Sequence, residues 1–386
     1  MSSRRILGFT SCRSEYDLMS GIYRRLSSDP GVEVGLVVSG AHLSPTYGLT
    51  VRDVEADSIP IAARIETLID ADTGSARLKT ATNLMHACLH DVLRFAPDVI
   101  TFAGDREDAI AAALIGGYLG IPTAHFFGGD HTTDGNIDNA VRHATSKIAS
   151  THFVAHERHV ERLRKIGEPA DRIFFVGSPA LDKFVSEPRL SKEEVASKLG
   201  RPDWTDFALM IHHPTLREER APDVYFEEVL VALKREGVRT FVGYPNTDPG
   251  SKLALDVIRR YGSDPDFCFY RTLDRTLFIN LMRHARFMIG NSSAGIIEAP
   301  LVPLPAINVG SRQTGRLAAA NVVFVPQDVD AIAQAIRRVT SDEFAGVLRS
   351  VESPYGKGDS VTRTVELLTT LPFEKFIEKR EDPLDL

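Results

Sequence analysis

Short apolar segments alternate with amphipathic segments along most of the chain, and this alternation constrains the fold more than any other feature of the sequence. An apolar run of about four to eight residues is typical of a buried strand, and a 3.6-residue apolar period indicates a helix. Strands that alternate with helices form parallel sheets covered on both faces. The sequence therefore predicts an α/β fold of doubly wound, Rossmann-like sheets, which bind ligands at the carboxyl ends of their strands.

The pattern occurs twice, which predicts two such domains facing a central cleft. The first predicted strands are 5–10, 32–39, 98–103 and 122–127, with helices at 15–28, 65–95, 109–119 and 138–149. After Gly177-Ser178-Pro179 the pattern restarts, with strands at 207–212, 239–243, 267–270, 287–289 and 304–309. Because this segment follows a predicted strand at 173–176, we expect the domain junction there. The predicted domains are 1–176 and 177–365, followed by a helix and tail at 366–386.

Length, charge and cysteine content limit the class of protein and partner. At roughly 150 residues per domain, 386 residues correspond to two or three domains. The net charge of −7 argues against nucleic acid or an anionic membrane as a non-specific partner. Cys12, Cys88 and Cys268 form no CxxC pair, which is typical of a reducing cytoplasm and predicts no zinc site. Segment 109–129 lacks charged residues, yet its glycines and proline favour a helix–turn–strand connection over a membrane span.

The strongest polar cluster is Gly290-Asn291-Ser292-Ser293-Ala294-Gly295, which follows predicted strand 287–289 and opens a segment carrying Glu298. Small residues at a helix start expose backbone N–H groups toward a bound anion. The cluster predicts a phosphate cradle and assigns nucleotide binding to the C-terminal domain. An N-cap with a tight turn is the alternative interpretation.

Carboxylates and a histidine pair follow other predicted strands. Asp105 and Arg106 follow strand 98–103 and suit either acid–base chemistry or a structural ion pair. Gly128-Gly129-Asp130-His131 follows strand 122–127, and the next helix carries Asp138, Arg142 and His143. These carboxylates are candidate bases. The alternative is that the segment is a polar loop in which Asp138 caps the next helix. His212 and His213 point in different directions, so at most one faces a ligand, and a metal pair is not expected at this spacing.

Arginines after other predicted strands are further candidate ligand contacts. Arg13 follows the first strand, and Arg312 and Arg316 follow the predicted strand at 304–309. Three arginines, a histidine and a helix N-terminus suit a diphosphate ligand. The absence of a P-loop and of a GxGxxG motif argues against a mononucleotide kinase or a dehydrogenase.

Six ordered motifs resemble those of the hydrolysing UDP-N-acetylglucosamine 2-epimerases of bacterial sialic and legionaminic acid pathways. The resemblance extends from Arg13 to about Val325. The motifs are Gly40–Pro45 (GAHLSP), Gly104–Arg106 (GDR), the HxxGG…IDxxxRHxxxK pattern of His125–Lys147, Gly177–Pro179 (GSP), Gly290–Pro300 (GNSSAGIIEAP) and Gly310–Arg316.

The resemblance implies a two-domain fold like that of GT-B glycosyltransferases and a lyase-type reaction followed by hydration, and no motif of the sequence predicts a metal or a cofactor. In that reaction a base removes the proton from sugar carbon 2 while UDP leaves carbon 1, and water adds to the resulting glycal. The products are UDP and a free 2-epimer for nonulosonic acid biosynthesis. The family also implies a UDP-sugar as substrate and a cytoplasmic homodimer or homotetramer.

The resemblance also implies roles for single residues. Asp105 and Asp138 match catalytic carboxylates, Asp130 follows the HxxGG motif, and His213 matches the family's HP motif. Ser292 and Ser293 match the phosphate-binding pair, and Glu298 the ribose-binding carboxylate. The remaining expected substrate-binding residues are Arg13, His42, Arg106, Gly129, Arg142, His143, Gly295, Arg312 and Arg316.

The chain departs from the family pattern near the sugar. Phe127 stands where Glu or His is common, Asp130 where Glu is usual, and Asn139 where a second Asp is usual. A phenyl ring transfers no proton, so that role is absent or belongs to a neighbour such as Asp130 or His131. Phe126 and Phe127 suit a more apolar sugar, such as a 6-deoxy, 4-acetamido compound. A non-hydrolysing epimerase, a GT-B glycosyltransferase and a non-catalytic nucleotide-sugar sensor are the alternative functions.

Overall fold

The computed structural model describes residues 3–71, 73–132, 137–215, 219–245, 248, 250–380 and 382. Contacts divide the chain into two compact units. The first unit comprises the described residues of 1–131, 135–183 and 355–386, and the second those of 132–134 and 184–354. Each unit contains one parallel sheet with helices between its strands, which confirms the predicted α/β class.

The first unit contains a seven-stranded sheet with strand order β3-β2-β1-β4-β5-β6-β7. The order reverses between β1 and β4, and the carboxyl ends beside such a reversal are where doubly wound sheets bind ligands. The strands are β1 (Arg4–Thr10), β2 (Val32–Ser39), β3 (Ile61–Ile65), β4 (Val99–Ala103), β5 (Thr123–Phe126), β6 (Thr151–Val154) and β7 (Ile173–Phe175). The helices are α1 (Arg13–Ser27), α2 (Val51–Ala56), α3 (Gly74–Phe95), α4 (Glu107–Leu119), α5 (Ile137–Ile148) and α6 (Glu157–Lys165).

The second unit contains a six-stranded sheet with strand order β10-β9-β8-β11-β12-β13, which reverses between β8 and β11. Its strands are β8 (Ala208–Ile211), β9 (Thr240–Gly243), β10 (Phe267–Tyr270), β11 (Met288–Gly290), β12 (Ala306–Val309) and β13 (Val322–Val325). The remaining helices of the chain are α7 (Asp182–Ser186), α8 (Lys192–Lys198), α9 (Pro222–Arg235), α10 (Ser251–Tyr261), α11 (Arg275–His284), α12 (Ala294–Ile297), α13 (Val329–Val339), α14 (Asp342–Leu348) and α15 (Ser360–Thr370).

Both faces of the second sheet are buried, which explains its continuous apolar strands. Met210 and Ile289 belong to one hydrophobic cluster, whereas their neighbours Leu209 and Met288 belong to another. Successive side chains of a strand point to opposite faces, so each strand supplies both clusters. No helix within the described ranges has both the length and the apolar character to cross a membrane.

Several elements differ from those predicted, and strand β3 is one that was not predicted. The predicted helix at 65–95 is shorter, because strand β3 ends at Ile65 and α3 begins only at Gly74. Strands β6 and β13 have four residues each and were not predicted. The segment after Ser293 forms a single helical turn, α12, rather than a longer helix.

The predicted domain boundaries are also corrected. Residues 177–183 and 355–365 belong to the first unit, together with the C-terminal helix. The Ser178 N–H donates to the carbonyl of Tyr355 at 2.9 Å. The Asp182 carboxylate accepts from the amides of Ser360 at 3.0 Å and Val361 at 2.8 Å, at the start of α15. These contacts join segments far apart in sequence, which no local pattern reveals.

Candidate functional site

Asp105 lies directly after β4 and forms an ion pair with Arg142 of α5. Arg142 Nη1 also donates to the carbonyl oxygen of Phe127 at 2.9 Å, so one guanidinium joins the ends of β4 and β5. Arg142 is only 4% exposed. The Asp105 side chain is 25% exposed, so its carboxylate is anchored on one side and accessible on the other. A planar guanidinium with two acceptors fixes the direction of that carboxylate.

Arg106 pairs with Glu15 rather than with its neighbour Asp105. Its Nε lies 3.7 Å from Glu15 Oε1, and Glu15 Oε2 accepts from the amide and the hydroxyl of Ser11, both at 3.0 Å. Glu15 thereby connects the ends of β1 and β4, the two strands at the reversal of the sheet. Arg13, the first residue of α1, lies 3.7 Å from the Asp53 carboxylate.

The loop after β5 has an unusual backbone. Phe127 has a φ of +62°, a left-handed conformation that a bulky residue rarely adopts, and its side chain is buried. At Gly129 a Cβ atom would lie 2.5 Å from the carbonyl oxygen of His159, so only glycine fits there. Asp130 is buried; it accepts from the His131 amide at 2.8 Å and lies 3.6 Å from the His159 ring. These contacts fix the backbone of residues 127–131.

His131 and His143 stack against each other. Nδ1 of His131 lies 3.3 Å from Nε2 of His143, and the ring centroids are 5.5 Å apart with an angle of 19° between the rings. His143 follows Arg142 on α5, so this pair and the Asp105–Arg142 pair are supported by the same helix.

Asp138 also lies on α5, in its first turn, 3.3 Å from Arg77 Nη2. Arg77 contacts Glu107 at 2.9 Å as well, so it joins α3, α4 and α5. Because α5 begins at Ile137, Asp138 is inside the helix and is not its N-cap. The capping interpretation of Asp138 is wrong.

In the second unit, the ends of β8 and β11 are in close contact. Gly290 has a φ of +132°, and a Cβ atom there would lie 2.0 Å from the carbonyl oxygen of Ile211. The Asn291 side chain accepts from the His213 amide at 2.7 Å and donates to the His213 carbonyl at 2.8 Å. His212 is buried, which lowers its pKa to about 3, whereas His213 is half-buried. Of the two histidines, His213 is therefore the one that remains accessible.

Ser292 and Ser293 follow at this sheet reversal, and both are half-buried. The Ser292 hydroxyl accepts from the Ala294 amide at 3.3 Å. Helix α12 has four residues, so the macrodipole contributes little and any anion contact depends on single amides and hydroxyls. Glu298 ends this turn and is buried.

Two arginines converge near the same strand end. Arg312 lies 3.1 Å from the Asp248 carboxylate and 3.4 Å from the carbonyl oxygen of Asn291. Gln313 donates to that same carbonyl at 2.9 Å and accepts from Arg316 at 2.6 Å. The segment after β12 thus brings Arg312 to the loop that contains the serine pair, and Arg316 is connected to that loop through Gln313.

Sequence comparisons match almost the entire chain. A sequence profile of the family described as UDP-N-acetylglucosamine 2-epimerase matches residues 24–369. A Legionella pneumophila protein, UDP-N,N'-diacetylbacillosamine 2-epimerase (hydrolyzing), is 32% identical over 381 residues, which cover 97% of this chain and 98% of the relative. The chain belongs to the UDP-N-acetylglucosamine 2-epimerase family. The family predicted from the motifs is confirmed. A UDP-N-acetylglucosamine 2-epimerase from Neisseria meningitidis is 31% identical over 338 residues, 88% of each chain.

A solved structure confirms the fold of this epimerase-family chain. The crystal structure of the N. meningitidis UDP-GlcNAc 2-epimerase bound to UDP-GlcNAc superposes with a TM-score of 0.79. The match covers 94% of this chain and 99% of that one, at 18% sequence identity. At this identity the likeness concerns the fold alone.

One residue of a family motif, His42, has a different role from the one predicted. His42 was expected to bind substrate, but it is fully buried, and its ring nitrogens contact the hydroxyls of Thr10 at 3.0 Å and Thr50 at 2.8 Å. Burial lowers the pKa of His42 to about 4, so the ring is neutral. With both nitrogens engaged, His42 is a structural residue that joins β1 to the segment after β2.

Gly295 likewise packs inside this epimerase-family fold. A Cβ atom there would lie 3.4 Å from Ala306 Cβ of β12, so a small residue lets α12 approach the sheet. In the part of the chain that the structure describes, no three His, Cys, Asp or Glu side chains are grouped as a metal ion would require.

Three residues of the site were not singled out from the sequence: Asn291, Asp248 and Arg77. Asn291 lies inside a motif that was identified, and its amide, which can both donate and accept, was the available signal. Asp248 and Arg77 are remote in sequence from their partners Arg312 and Asp138, so no local pattern indicates them.

Proposed function

We propose that this chain is a hydrolysing 2-epimerase that converts a UDP-N-acetyl amino sugar to the free 2-epimer and UDP. The candidate substrates are UDP-N-acetylglucosamine and UDP-2,4-diacetamido-trideoxyhexose. The observation that carries the proposal is the anchored, partly exposed Asp105 at the sheet reversal of the first unit. The name of the L. pneumophila relative supports the hydrolysing subtype. The product would serve nonulosonic acid biosynthesis in the cytoplasm, and the homodimer or homotetramer stays a prediction.

In the proposed reaction, a carboxylate removes the proton from sugar carbon 2. The electron pair of that C–H bond forms a double bond to carbon 1, and UDP leaves with the electron pair of the C–O bond. Asp105 and Asp138 are the candidate bases, because each is an acidic side chain placed by a buried or partly buried arginine. Water then adds oxygen to carbon 1, and a proton returns to carbon 2.

We assign the nucleotide to the second unit. Ser292 and Ser293 would bind the diphosphate, with Arg312 and Arg316 supplying positive charge, and Glu298 would accept from the ribose hydroxyls. The contacts of Asn291 support this assignment. Its side chain binds the amide and the carbonyl of His213, and its own carbonyl oxygen accepts from Gln313. These hydrogen bonds fix the ends of β8 and β11, and the two serines follow β11. His213, Arg13 and Arg106 remain proposed contacts to the substrate.

An apolar sugar fits the residue at position 127. Phe126 is fully buried and stacks on Phe153 at 4.8 Å, so it belongs to the core of the sheet and not to a sugar site. Phe127 directly follows β5 and is itself buried, but it retains 8% exposure, so of the two rings only Phe127 offers any surface to a sugar. This favours the 6-deoxy, 4-acetamido sugar over N-acetylglucosamine.

The test is incubation of the purified protein with both UDP-sugars in deuterated water, followed by product NMR and measurement of released UDP. We expect one UDP per free 2-epimer, with deuterium at carbon 2. An epimerised UDP-sugar with no matching UDP release would instead establish a non-hydrolysing epimerase. Product without deuterium at carbon 2 would exclude elimination and favour a glycosyltransferase or a simple hydrolase, and binding without turnover would favour a sensor.

Variants of the two carboxylates extend the test. Asp105→Asn and Asp138→Asn should retain UDP binding and lose about 10²- to 10⁴-fold in turnover, the usual contribution of a positioned acid–base group. Asp171→Asn is the matched control, because Asp171 is an exposed carboxylate of the same unit. Normal turnover in both site variants would remove these carboxylates from the mechanism.

A further inference from the structure

Inversion at carbon 2 requires two proton-transfer groups. Carbon 2 of a glycal is planar, so a proton taken from one face must return to the other face to give the 2-epimer. A single carboxylate that returned its own proton would restore the original configuration. Phe127 stands at the position where Glu or His is common in the family, and its phenyl ring has no proton to transfer. The second group must therefore be a side chain other than the base and other than Phe127.

The stacked imidazoles of His131 and His143 have the necessary chemistry. At 3.3 Å, a contact between Nδ1 of His131 and Nε2 of His143 requires one nitrogen to carry the hydrogen and the other to accept it. The contact therefore places one N–H group between two half-buried rings. His131 lies in the segment that follows Phe127, four residues from the position it would replace.

The surroundings of the pair limit its charge. Burial lowers the pKa of His143, and the charges of His131, Arg142 and Arg162 lower it further, whereas the Asp130 carboxylate raises it. Arg162 is held near the pair by the carbonyl oxygen of Gly129, to which it donates. These effects favour the neutral form of His143, so a proton added to the pair resides on His131.

We propose that His131, supported by His143, is the acid that returns the proton to carbon 2. This inference rests on the proposed function. The protonated His131 ring gives its proton to carbon 2 of the glycal while the oxygen of water bonds to carbon 1. The proton that this water loses restores the charge of the pair. The carboxylic acid formed in the first step releases its proton to solvent, so both groups return to their starting state and the net reaction releases one proton with UDP. His143 acts through His131 and is a positioning residue.

The experiment measures UDP release and free 2-epimer separately, with the wild type and with His131→Gln. We expect His131→Gln to continue releasing UDP while formation of the 2-epimer falls about 10²- to 10⁴-fold, so that the glycal accumulates. His86→Gln is the control, because His86 is an exposed imidazole of α3 in the same unit. Equal rates of epimer formation in His131→Gln and the wild type would overturn the proposal.

A second variant separates chemistry from folding. Phe127→His in the His131→Gln background puts an imidazole at the position that carries Glu or His in the family, and histidine tolerates the left-handed φ of residue 127 better than phenylalanine does. We expect it to restore epimer formation. Failure to restore it, with UDP affinity and thermal unfolding as in the wild type, would assign the loss to structure and overturn the proposal.

His143→Gln tests the positioning role. We expect a smaller loss of turnover and a displaced pH optimum, since the partner that shares the proton of His131 is gone. An unchanged pH profile would contradict the role of His143. Absence of any turnover by the wild type would instead refute the proposed function, so the two failures are distinguishable.

Discussion

Replacement of Gly290 by alanine tests the geometry that places the serine pair. The added Cβ would lie 2.0 Å from the oxygen and 2.6 Å from the carbon of the Ile211 carbonyl, and 3.2 Å from the amide nitrogen of His212. All three atoms are backbone, so no side-chain rotation relieves the contact and β11 must move away from β8. The left-handed φ costs about 1–2 kcal/mol and the overlap about 1–3 kcal/mol more, which gives about 2–5 kcal/mol in total.

Gly237→Ala is the matched control for this variant. Gly237 also has a left-handed φ, +65°, but among the described residues no atom lies within 4 Å of the position that an alanine Cβ would take. Only the conformational cost of about 1–2 kcal/mol therefore applies. Both substitutions restrict the unfolded chain equally, so the difference between them isolates the contact with Ile211.

Trp204 provides the assay. It is the single tryptophan of the chain, it is buried in the second unit, and its ring centroid lies 4.8 Å from that of Phe241. Its fluorescence in a urea titration therefore reports the unfolding of the unit that contains both glycines. We expect Gly290→Ala to unfold at clearly lower urea than Gly237→Ala and to bind UDP more weakly in calorimetry. Equal midpoints and equal UDP affinity in the two variants would refute the reasoning.

Three further outcomes are expected. Ser292→Ala combined with Ser293→Ala should weaken UDP binding about tenfold or more in calorimetry, because each lost hydrogen bond contributes about 0.5–1.5 kcal/mol. Glu298→Ala should raise KM with kcat nearly unchanged in steady-state kinetics, since a ribose contact is present in ground and transition states alike. Burial acts to raise the pKa of Glu168, but the hydrogen bond from His152 and nearby lysines outweigh it and hold that pKa at about 2, below the ordinary 4.5. Its stabilisation is therefore present above about pH 4.5 and lost toward pH 2, and Glu168→Gln should flatten the acid limb of a stability–pH profile.

The strands at both sheet reversals could be predicted because they are continuous apolar runs followed by glycine and polar residues. β1, β4, β8 and β11 are of this kind, and the site residues follow them. Strand β6 was not predicted because only four residues form it and two of them, Thr151 and His152, are polar. His152 is buried at 2.8 Å from the Glu168 carboxylate, and that partner is 16 residues away.

The return of the chain to the first unit could not be predicted either. Residues 355–380 have an ordinary amphipathic pattern, and their attachment depends on distant groups. Arg4 donates to the carbonyls of Leu368 at 3.1 Å and Leu371 at 2.7 Å, and Arg172 donates to that of Phe376 at 2.6 Å. Both arginines also lie over rings of this segment, Arg4 at 5.6 Å from the centroid of Phe373 and Arg172 at 5.7 Å from that of Phe376. Neither a carbonyl nor an aromatic ring indicates from the sequence which distant arginine will bind it.

The ion pairs inside the site could not be predicted from the sequence either. Asp105 and Arg106 are neighbours, and an ion pair between them was one interpretation of the sequence, yet Asp105 pairs with Arg142 and Arg106 approaches Glu15. Consecutive side chains in extended backbone point in opposite directions, so adjacent residues at a strand end reach different loops. Each of these pairs therefore joins two strand ends. A substitution at Arg142 consequently alters the position of Asp105 and of the Phe127 carbonyl together, and its effect on catalysis should exceed that of any surface charge.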